Sequence, residues 1–302
     1  LQGFAQLALD KNYVAPTITT TREISLKSSR HPVLEELLDS QQFVPNDILL
    51  NQQNQQVIIL TGPNMAGKSV LMRQVALITL LAQIGSFVPA KEATIGVVDR
   101  IFVRSGASDM ISEGLSTFMV EMTETAHILK TATDESLIIM DEIGRGTSTY
   151  DGISIAWAVA EYLVKLGSSR PLTLFATHYH ELAKLTALYP DKVKNMHLEV
   201  SKKDNQPSFL YQLKAGPAKH SFGIDVAQLA GVPETVSQRS KELLVEFEKD
   251  LDSSHITQKT YQHTENTKGT PLIKKLKTID PNSLTPLEAL NLVVELKQQI
   301  KN

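Results

Sequence analysis

The chain has 302 residues, with 30 Lys and Arg against 33 Asp and Glu, and it has no cysteine. This length allows one large domain with appendages or two domains, and the net charge of −3 gives no global basic field of the kind expected for a nucleic-acid binder. The lack of cysteine excludes disulfides, thiolate metal sites and cysteine nucleophiles, and it fits a reducing cytoplasm.

The first segment, residues 1–30, begins with a helical pattern. Leu1, Phe4 and Ala8 recur at helical spacing, and the pattern stops before Pro16. A chain that starts with leucine inside a helix is expected to be a piece of a longer protein. A polar linker follows. Beyond it the sequence predicts a short helix at 33–38, then strand edges and a hairpin-type turn that lead to the central strand.

The central stretch contains a phosphate-binding motif. A β-branched run, Val57 to Leu60, precedes it, and a long apolar helix pattern follows. The motif has the spacing G-x-x-x-x-G-K-[ST] and comprises Gly62, Pro63, Asn64, Met65, Ala66, Gly67, Lys68 and Ser69. Backbone N–H groups and the helix N-terminus form an anion site, Lys68 reaches the β- and γ-phosphates, and the Ser69 hydroxyl ligates Mg²⁺. We therefore expect ATP or ADP with Mg²⁺ as cofactors.

The longest nearly apolar run lies in the helix after this motif, at residues 75–84. A bilayer-spanning helix needs about 20 residues, so no membrane partner is expected.

Further along, 101–104 is predicted to be a strand, and Phe118 to Leu129 have helical spacing. Ser116 and Thr117 precede this helix. A hydroxyl residue at a helix start is usually only a helix cap. From these residues alone, a functional role for Ser116 and Thr117 stays open as the alternative.

An acidic pair ends the next buried strand. Leu137 to Met140 form an apolar run without alternation, which suits a parallel strand buried on both faces, and Asp141 and Glu142 follow at its carboxyl end. Downstream of a phosphate loop, such a pair is interpreted as a metal-associated acid and a water-activating base. The alternatives are a helix cap or a solvated turn.

A polar, glycine-containing loop is predicted at 144–152, with a helix from about Ile153 to Leu166. The next buried strand ends directly before His178, which is placed to sense the γ-phosphate unless it is structural. His178 and His180 form a His-x-His pattern, yet no third ligand at suitable spacing supports a metal site there.

The remaining segments predict a hairpin, a helical pair and a linker. Apolar and polar residues alternate on both sides of a polar turn at 202–207, which predicts an antiparallel hairpin. Residues 224–230 and 234–248 have a helix-turn-helix outline, and the acidic second helix favours protein packing over DNA reading. Polar residues 252–270 are expected to be a linker. The last helix starts with a capping box near Thr285 and is apolar enough for burial against a second subunit.

These segments together resemble the C-terminal ATPase region of the MutS-type DNA mismatch repair family, of its mismatch-recognising branch. The resemblance extends from His31 almost to the end, with the motifs in the family's order: TGPNMAGKS, GLSTFMVEMTET, MDEIGRGTSTYDG, ATHYHEL, HSFGIDVAQLAGVP and DPNSLTPLEALNLVVELK. It implies an α/β fold, a P-loop NTPase of ABC-ATPase type with a C-terminal helix-turn-helix dimerisation element.

The domain boundaries implied by the resemblance are the end of lever helices and a linker at 1–30, an ATPase domain at 31–223, a helix-turn-helix at 224–251, a flexible linker at 252–271 and a dimerisation segment at 272–302. Site roles follow from the same resemblance. Residues 62–69 hold the phosphates, Ser69 and Asp141 position Mg²⁺, Glu142 orients the attacking water, and His178 contacts the γ-phosphate side.

Other roles implied by the resemblance concern the base and the dimer. Phe43 stacks on adenine, and Tyr211 is a candidate for the second adenine contact. Ser116 reaches the nucleotide of the other subunit of a homodimer, and the loop 144–152 lies along the dimer interface. Val70 departs from the family's usual small residue without affecting the phosphate contacts. Domains before Leu1 contact mismatched DNA, and a MutL-type partner and a cytoplasmic, nucleoid-associated location are implied.

Three functions compete at this point. The first is an ATP-hydrolysing motor that couples nucleotide state to DNA clamping in the intact protein. The second is mainly a dimerisation module with weak ATPase activity, or a MutS-like ATPase outside mismatch repair. The third is a small-molecule P-loop kinase, against which stand the lack of an acceptor-binding lid and the long polar loop after Glu142.

Overall fold

The computed structural model describes residues 2–38, 43–105, 116–165, 171–203, 206–218 and 222–253. The chain divides into two compact units, Leu1–Glu242 and Leu243–Asn302. Within the second unit, the described residues 243–253 form the C-terminal turns of one helix. Asp252 and Ser253, the first two residues of the predicted linker, belong to this helix. The rest of the predicted linker, the terminal dimerisation segment and the loop predicted after Ser105 lie outside the described residues. The predicted domain boundaries remain predictions.

The described helices are α1 (Gln2–Asp10), α2 (Leu34–Leu37), α3 (Lys68–Gln83), α4 (Thr117–Thr131), α5 (Thr149–Lys165), α6 (Leu185–Leu188), α7 (Gly223–Leu229) and α8 (Glu234–Ser253). Short 3-10 helices occupy Asn64–Ala66 and His180–Lys184. No helix in the described ranges is both long enough and apolar enough to span a membrane.

The strands form two sheets. They are β1 (Thr17–Thr19), β2 (Glu23–Ser29), β3 (Asn46–Asn51), β4 (Val57–Thr61), β5 (Glu92–Gly96), β6 (Ile101–Arg104), β7 (Leu137–Asp141), β8 (Leu172–Ala176), β9 (Val193–Lys203) and β10 (Gln206–Ala215). The smaller sheet has the order β1-β5-β2-β3, and the larger has the order β10-β9-β4-β8-β7-β6. In the larger sheet all neighbours are parallel except β9 and β10. The protein is therefore mixed α/β.

The central strand β4 is buried on both faces, which explains its uninterrupted apolar sequence. Ile58 and Leu60 face a core cluster that includes α3 and the smaller sheet. Val57 and Ile59 face a second cluster that includes residues of α5. Strand β4 thus lies between two apolar layers, and its carboxyl end is held in place from both sides.

The carboxyl ends of three parallel strands meet at one edge of the larger sheet. Strand β8 lies between β4 and β7, with Ala176 paired with both Leu60 and Asp141. Residues that follow these strands are consequently neighbours in space although they are far apart in sequence. This edge is where the predicted phosphate loop, the acidic pair and His178 all begin.

Most predicted elements are confirmed, with two errors. The segment before His31 that was predicted to be a linker contains strands β1 and β2, because its residues pair with β3 and β5 in the smaller sheet. The second error concerns the start of helix α5. It begins at Thr149, four residues earlier than predicted, so the loop after Glu142 is shorter. The Ser148 hydroxyl donates a hydrogen bond of 2.9 Å to the Asp151 carboxylate and accepts one of 3.4 Å from the Asp151 N–H. This is the Ser-x-x-acid arrangement of a helix start, and the sequence interpretation missed it.

The predicted turn before β4 is present, but it joins two different sheets. The Asn51 N–H donates to the Gln55 carbonyl at 3.1 Å and closes the turn. Strand β3 nevertheless pairs with β2 in the smaller sheet, while β4 is in the larger one. The turn is local, whereas the partner of each strand is chosen by packing over the whole core.

Helix α2 depends on a buried histidine. His31 is 7% exposed, and its Nδ1 atom accepts hydrogen bonds from the backbone N–H groups of Val33 (3.2 Å) and Leu34 (3.3 Å). Burial and the positive charge of Arg73 lower the pKa of His31, and the charge of Glu35 opposes this effect. The folded protein therefore favours the neutral ring.

A pH-dependent loss of stability is expected from this histidine. Because its folded pKa lies below the unfolded value of about 6.5, protons bind preferentially to the unfolded chain as the pH falls below that value. We expect the melting temperature to fall between pH 7.5 and 5.5 by more in the parent than in His31→Asn, which keeps a capping acceptor that does not titrate. Equal falls in both proteins, measured by circular dichroism, would contradict this role.

Candidate active site

The predicted phosphate loop lies between β4 and α3 and requires glycine at its end. Gly67 has φ +95°, a left-handed conformation that side-chain-bearing residues rarely adopt. A Cβ atom there would also lie 3.4 Å from the ring of Tyr211. Within the loop, Ala66 is buried and Met65 is exposed. The buried side chain directly before Gly67 is thus a small one.

Lys68 opens helix α3 and points into the protein. It is 1% exposed, and its ammonium group donates a short hydrogen bond to the carbonyl oxygen of Gly62. Its Nζ atom lies 4.0 Å from Oε1 of Glu142. Burial lowers the pKa of the Lys68 amine, and the negative charges of Glu142 and Asp141 act in the opposite direction. The carboxylates therefore favour the charged form of a deeply buried lysine.

The acidic pair ends β7 with two different backbone conformations. Asp141 is the last residue of the strand, whereas Glu142 has φ +57°. A non-glycine residue in this region costs on the order of 1 kcal/mol and persists only where neighbouring contacts enforce it. The Glu142 N–H still donates to the Ala176 carbonyl at 3.0 Å, so the chain turns away directly after the last ladder bond.

Two further cationic or titratable side chains follow strands β7 and β8. Arg145 forms a close ion pair with Oε2 of Glu142. His178 follows β8, and its ring centroid lies 3.9 Å from that of Tyr179. Burial lowers the pKa of His178, and the nearby positive charges of Arg145 and Lys68 lower it further. His178 therefore tends to be neutral.

A polar cavity of about 540 Å³ joins Lys68, the acidic pair and Arg145, whereas His178 is not among the residues that line it. It is lined by Lys68, Ser69, Arg73, Arg104, Thr117, Glu121, Asp141, Glu142, Arg145 and Gly146. This volume is within the range of small-molecule sites. Four residues singled out from sequence, Lys68, Ser69, Asp141 and Glu142, thus line one cavity. Both cationic and anionic groups line it, as expected of a site for a charged ligand.

Ser116 acts as the cap of helix α4. Its hydroxyl accepts a hydrogen bond of 3.1 Å from the Met119 N–H, so the structural alternative for this residue is present in the molecule. Both Ser116 and Thr117 are exposed, and Thr117 lines the polar cavity of its own chain. The cap leaves the exposed N-terminus of α4 accessible to other groups.

A second, apolar cavity of about 280 Å³ lies next to Gly67. It is lined by Leu34, Leu38, Phe43, Val44, Asn46, Ala66, Gly67, Val70, Leu71, Gln74, Leu198 and Tyr211. Phe43 and Tyr211, the two aromatic residues predicted from the resemblance, therefore line the same cavity. Because Gly67 lines it, this cavity begins beside the predicted phosphate loop.

Asn46 holds Tyr211 in place. Its side-chain amide donates to the Tyr211 carbonyl at 2.9 Å and accepts from the Leu213 N–H at 2.7 Å. Strand β10 has a register shift between Phe209 and Leu213, and Tyr211 has φ +55°. The amide thus bonds to backbone groups within and directly after the irregular part of the strand. The sequence interpretation did not identify Asn46.

Arg104 and Glu121 are further cavity residues that the sequence interpretation missed. Arg104 is 3% exposed at the end of β6, and its Nη2 lies 3.3 Å from Oε2 of Glu121, itself 5% exposed. The sequence offered one signal for each residue. Arg104 is a charged residue at the end of an apolar strand, and Glu121 is an acid three residues after Phe118 on the same helix. Neither signal shows that the two residues meet.

The donor set fits a hard divalent cation bound together with a phosphate chain. Oδ1 of Asp141 is buried without a hydrogen-bond partner among the described residues, and the Ser69 hydroxyl lines the same cavity. Carboxylate and hydroxyl oxygens are the ligands that Mg²⁺ prefers. Within the described ranges no group of three or more His, Asp or Glu residues is arranged to hold a metal by itself. A cation there would need ligands from the nucleotide or water.

Comparison with known families decides the family membership of this chain. A model described as MutS domain V matches residues 58–248, and a model described as the DNA mismatch repair protein MutS C-terminal region matches residues 266–299. The chain belongs to the MutS family. The first match covers the larger sheet, from the second residue of β4 onward, and with it most of the cavity residues.

Relatives of this MutS-family chain are similar over its whole length. Proteins named DNA mismatch repair protein MutS are 50% identical in Cytophaga hutchinsonii, over 100% of this chain, and 49% identical in Caldicellulosiruptor bescii, over 99% of it. The relative from Phocaeicola vulgatus is 45% identical over 100% of the chain. In each case the matched region is 36% of the relative. The chain thus spans about a third of the length of these relatives.

Proposed function

We propose that this chain binds and hydrolyses ATP with Mg²⁺, as the dimer-forming motor region of a DNA mismatch repair protein. The observation that carries the proposal is the convergence of Lys68, Ser69, Asp141 and Glu142 on one polar cavity beside a glycine-bearing loop and a helix N-terminus. This combination is the set of parts that P-loop phosphoryl transfer uses. The proposed fold is accordingly a P-loop NTPase of ABC type.

The chemistry assigned to the side chains is positioning and charge neutralisation. When the nucleotide binds, the Lys68 ammonium group gives up its hydrogen bond to the Gly62 carbonyl and donates to phosphate oxygens instead. The backbone N–H groups of residues 62–69 add further donors. Ser69 and Asp141 would hold Mg²⁺, which neutralises phosphate charge when bound. Glu142 accepts a proton from the attacking water, and His178 lies on the γ-phosphate side.

The apolar cavity is assigned to the adenine base. Phe43 and Tyr211 supply aromatic faces on which a purine stacks, and the remaining walls are mainly aliphatic. Gly67 lines this cavity and directly precedes Lys68. The base and the phosphates of one nucleotide would therefore occupy the apolar and the polar cavity respectively.

The site is proposed to be completed by a second copy of the chain. Ser116 is exposed at the N-terminus of α4, where a helix end favours anions, and in the dimer it would face the partner's nucleotide. The loop that follows Glu142 would line the interface. Exposed apolar residues of the α7–α8 region, Leu229, Val232 and Val236, would contribute to packing between helix-turn-helix elements.

In the intact protein, nucleotide state would control clamping on mismatched DNA. The DNA-contacting parts would belong to the remainder of the protein, and a MutL-type protein is a further proposed partner. The relatives' names carry the link to mismatch repair. A cytoplasmic, nucleoid-associated location and the domain boundaries stated above are part of the same proposal.

Mixing two inactive variants tests both hydrolysis and the composite site. Lys68→Met removes the phosphate contact, and Ser116→Asp keeps a helix cap but places a negative charge against the partner's nucleotide. Random exchange of subunits should restore about a quarter of the parental ATPase rate, since half of the dimers then contain one intact site of two. Ser116→Asn, a neutral cap, should retain more activity than Ser116→Asp, since it brings no negative charge to the partner's nucleotide.

Sedimentation with Mg²⁺ and either ADP or a non-hydrolysable ATP analogue completes the test. A dimer strengthened by the ATP analogue is expected. The composite site is wrong if the mixed variants recover no ATPase activity and the parent is a monomer whose specific activity does not depend on protein concentration. A dimer with a negligible ATPase rate would instead favour the dimerisation module.

A further inference from the structure

The peptide group of Gly144 is held from both sides by side chains of other elements. Its N–H donates a hydrogen bond of 2.5 Å to Oε1 of Glu121, on helix α4. Its carbonyl oxygen accepts a hydrogen bond of 2.9 Å from the hydroxyl of Tyr179, which follows strand β8. Gly144 lies two residues after Glu142. The backbone next to the proposed water-activating carboxylate is therefore attached to two separate elements of the sheet edge.

The conformation of this segment leaves little room for alternatives. Gly144 has φ +92°, and a Cβ atom there would lie 2.5 Å from the Gly152 carbonyl oxygen. A Cβ atom on Gly146 would lie 2.7 Å from Cβ of Phe118, the second residue of α4. Helix α4 thus touches the loop at two points, through Glu121 and Phe118. Movement of this helix would be transmitted to the loop.

Both side chains have further interactions with their surroundings. Oε2 of Glu121 is paired with Arg104, and Nε of Arg104 is 3.1 Å from the half-exposed carboxylate of Glu124. Burial and the charge of Glu121 raise the pKa of the Tyr179 hydroxyl, which favours its protonated, donating form. Both oxygens of Glu121 are engaged, so this residue acts through Gly144, although it lines the cavity.

We propose that Glu121 and Tyr179 are positioning residues for the carboxylate of Glu142, acting through the peptide of Gly144. The inference rests on the proposed ATPase function and deepens it. Helix α4 begins beside Ser116, so a contact made there by a partner's nucleotide would reach Glu142 through Glu121. Hydrolysis in one subunit would in this way respond to the occupancy of the dimer interface.

The experiment uses four variants of the full chain. Tyr179→Phe removes one hydroxyl and keeps the ring, whereas Glu121→Ala removes the acceptor for Gly144. Both should lower kcat by about 10- to 100-fold with little change in the Kd of a fluorescent ATP analogue, because small displacements of reacting groups cost this much in rate. Glu121→Gln keeps an acceptor oxygen and should lose less. Glu124→Gln changes only the exposed partner of Arg104 and is the control, expected near the parental rate.

Hydrogen exchange of the peptide that carries residues 142–152 gives a readout that does not depend on turnover. Faster exchange is expected in Tyr179→Phe and Glu121→Ala, and parental exchange in Glu124→Gln. The inference is overturned if Tyr179→Phe keeps both the parental kcat and the parental exchange. It is also overturned if ATP affinity or melting temperature falls in proportion to kcat, since the role is then structural. A parent without ATPase activity would refute the proposed function, while exchange would still report on the loop.

Discussion

Replacing Glu142 with glutamine is expected to lower kcat for ATP hydrolysis by about 100-fold or more, since a positioned general base contributes roughly 10²- to 10⁴-fold. Glutamine keeps the size of the side chain but cannot take a proton from water. ATP affinity should remain close to parental, because the proposed phosphate contacts come from the loop and Lys68. Single-turnover hydrolysis and titration with a fluorescent ATP analogue separate these two effects.

The stability of this variant is expected to fall, because Glu142 is one of the two carboxylates that favour the charged form of buried Lys68. Loss of the contact with Arg145 should add little to this effect. Arg145 is half-exposed, so its guanidinium group remains solvated when the carboxylate is replaced. Glu181→Gln is the matched control, since Glu181 is exposed and lies just after His178 in sequence. Parental hydrolysis by Glu142→Gln would show that the base has been assigned to the wrong residue. Loss of hydrolysis in both variants would indicate a general electrostatic effect instead.

Lys68→Met is expected to weaken ATP binding by about 100-fold or more, in line with the roughly 2–5 kcal/mol lost when one partner of a buried charge contact is removed. The methionine side chain fills the space of the aliphatic stem but offers no donor to phosphate oxygens. A thermal-shift assay measures the effect directly, because a ligand that binds only the folded protein raises its melting temperature. ATP with Mg²⁺ should shift the parent and not the variant.

Lys91→Met provides the comparison for this change. Lys91 is an exposed lysine just before strand β5, so the substitution removes the same charge without touching either cavity. It should keep the parental thermal shift. If Lys68→Met retains that shift as well, the buried lysine has a purely structural function, and nucleotide binding at this loop must be reconsidered.

The parts of the site that were predictable are those encoded by neighbouring residues. The phosphate loop, the acidic pair after β7 and the histidine after β8 each follow a short apolar strand, and that local pattern indicates a strand end. Parallel strands present their carboxyl ends at one edge, so the meeting of Lys68, Asp141 and Glu142 followed from the strand assignment. The start of α5 at Thr149 was also encoded locally, in the capping pair Ser148 and Asp151.

The sequence by itself therefore determined the order of helices and strands and the chemical groups at the sheet edge, because both depend on residues within a few positions of each other. Tertiary structure alone decided which distant groups meet. Glu121 bonds to the Gly144 peptide across 23 positions, and Asn46 bonds to Tyr211 across 165. Such contacts result from strand order and from packing of the whole core, and no local periodicity records them.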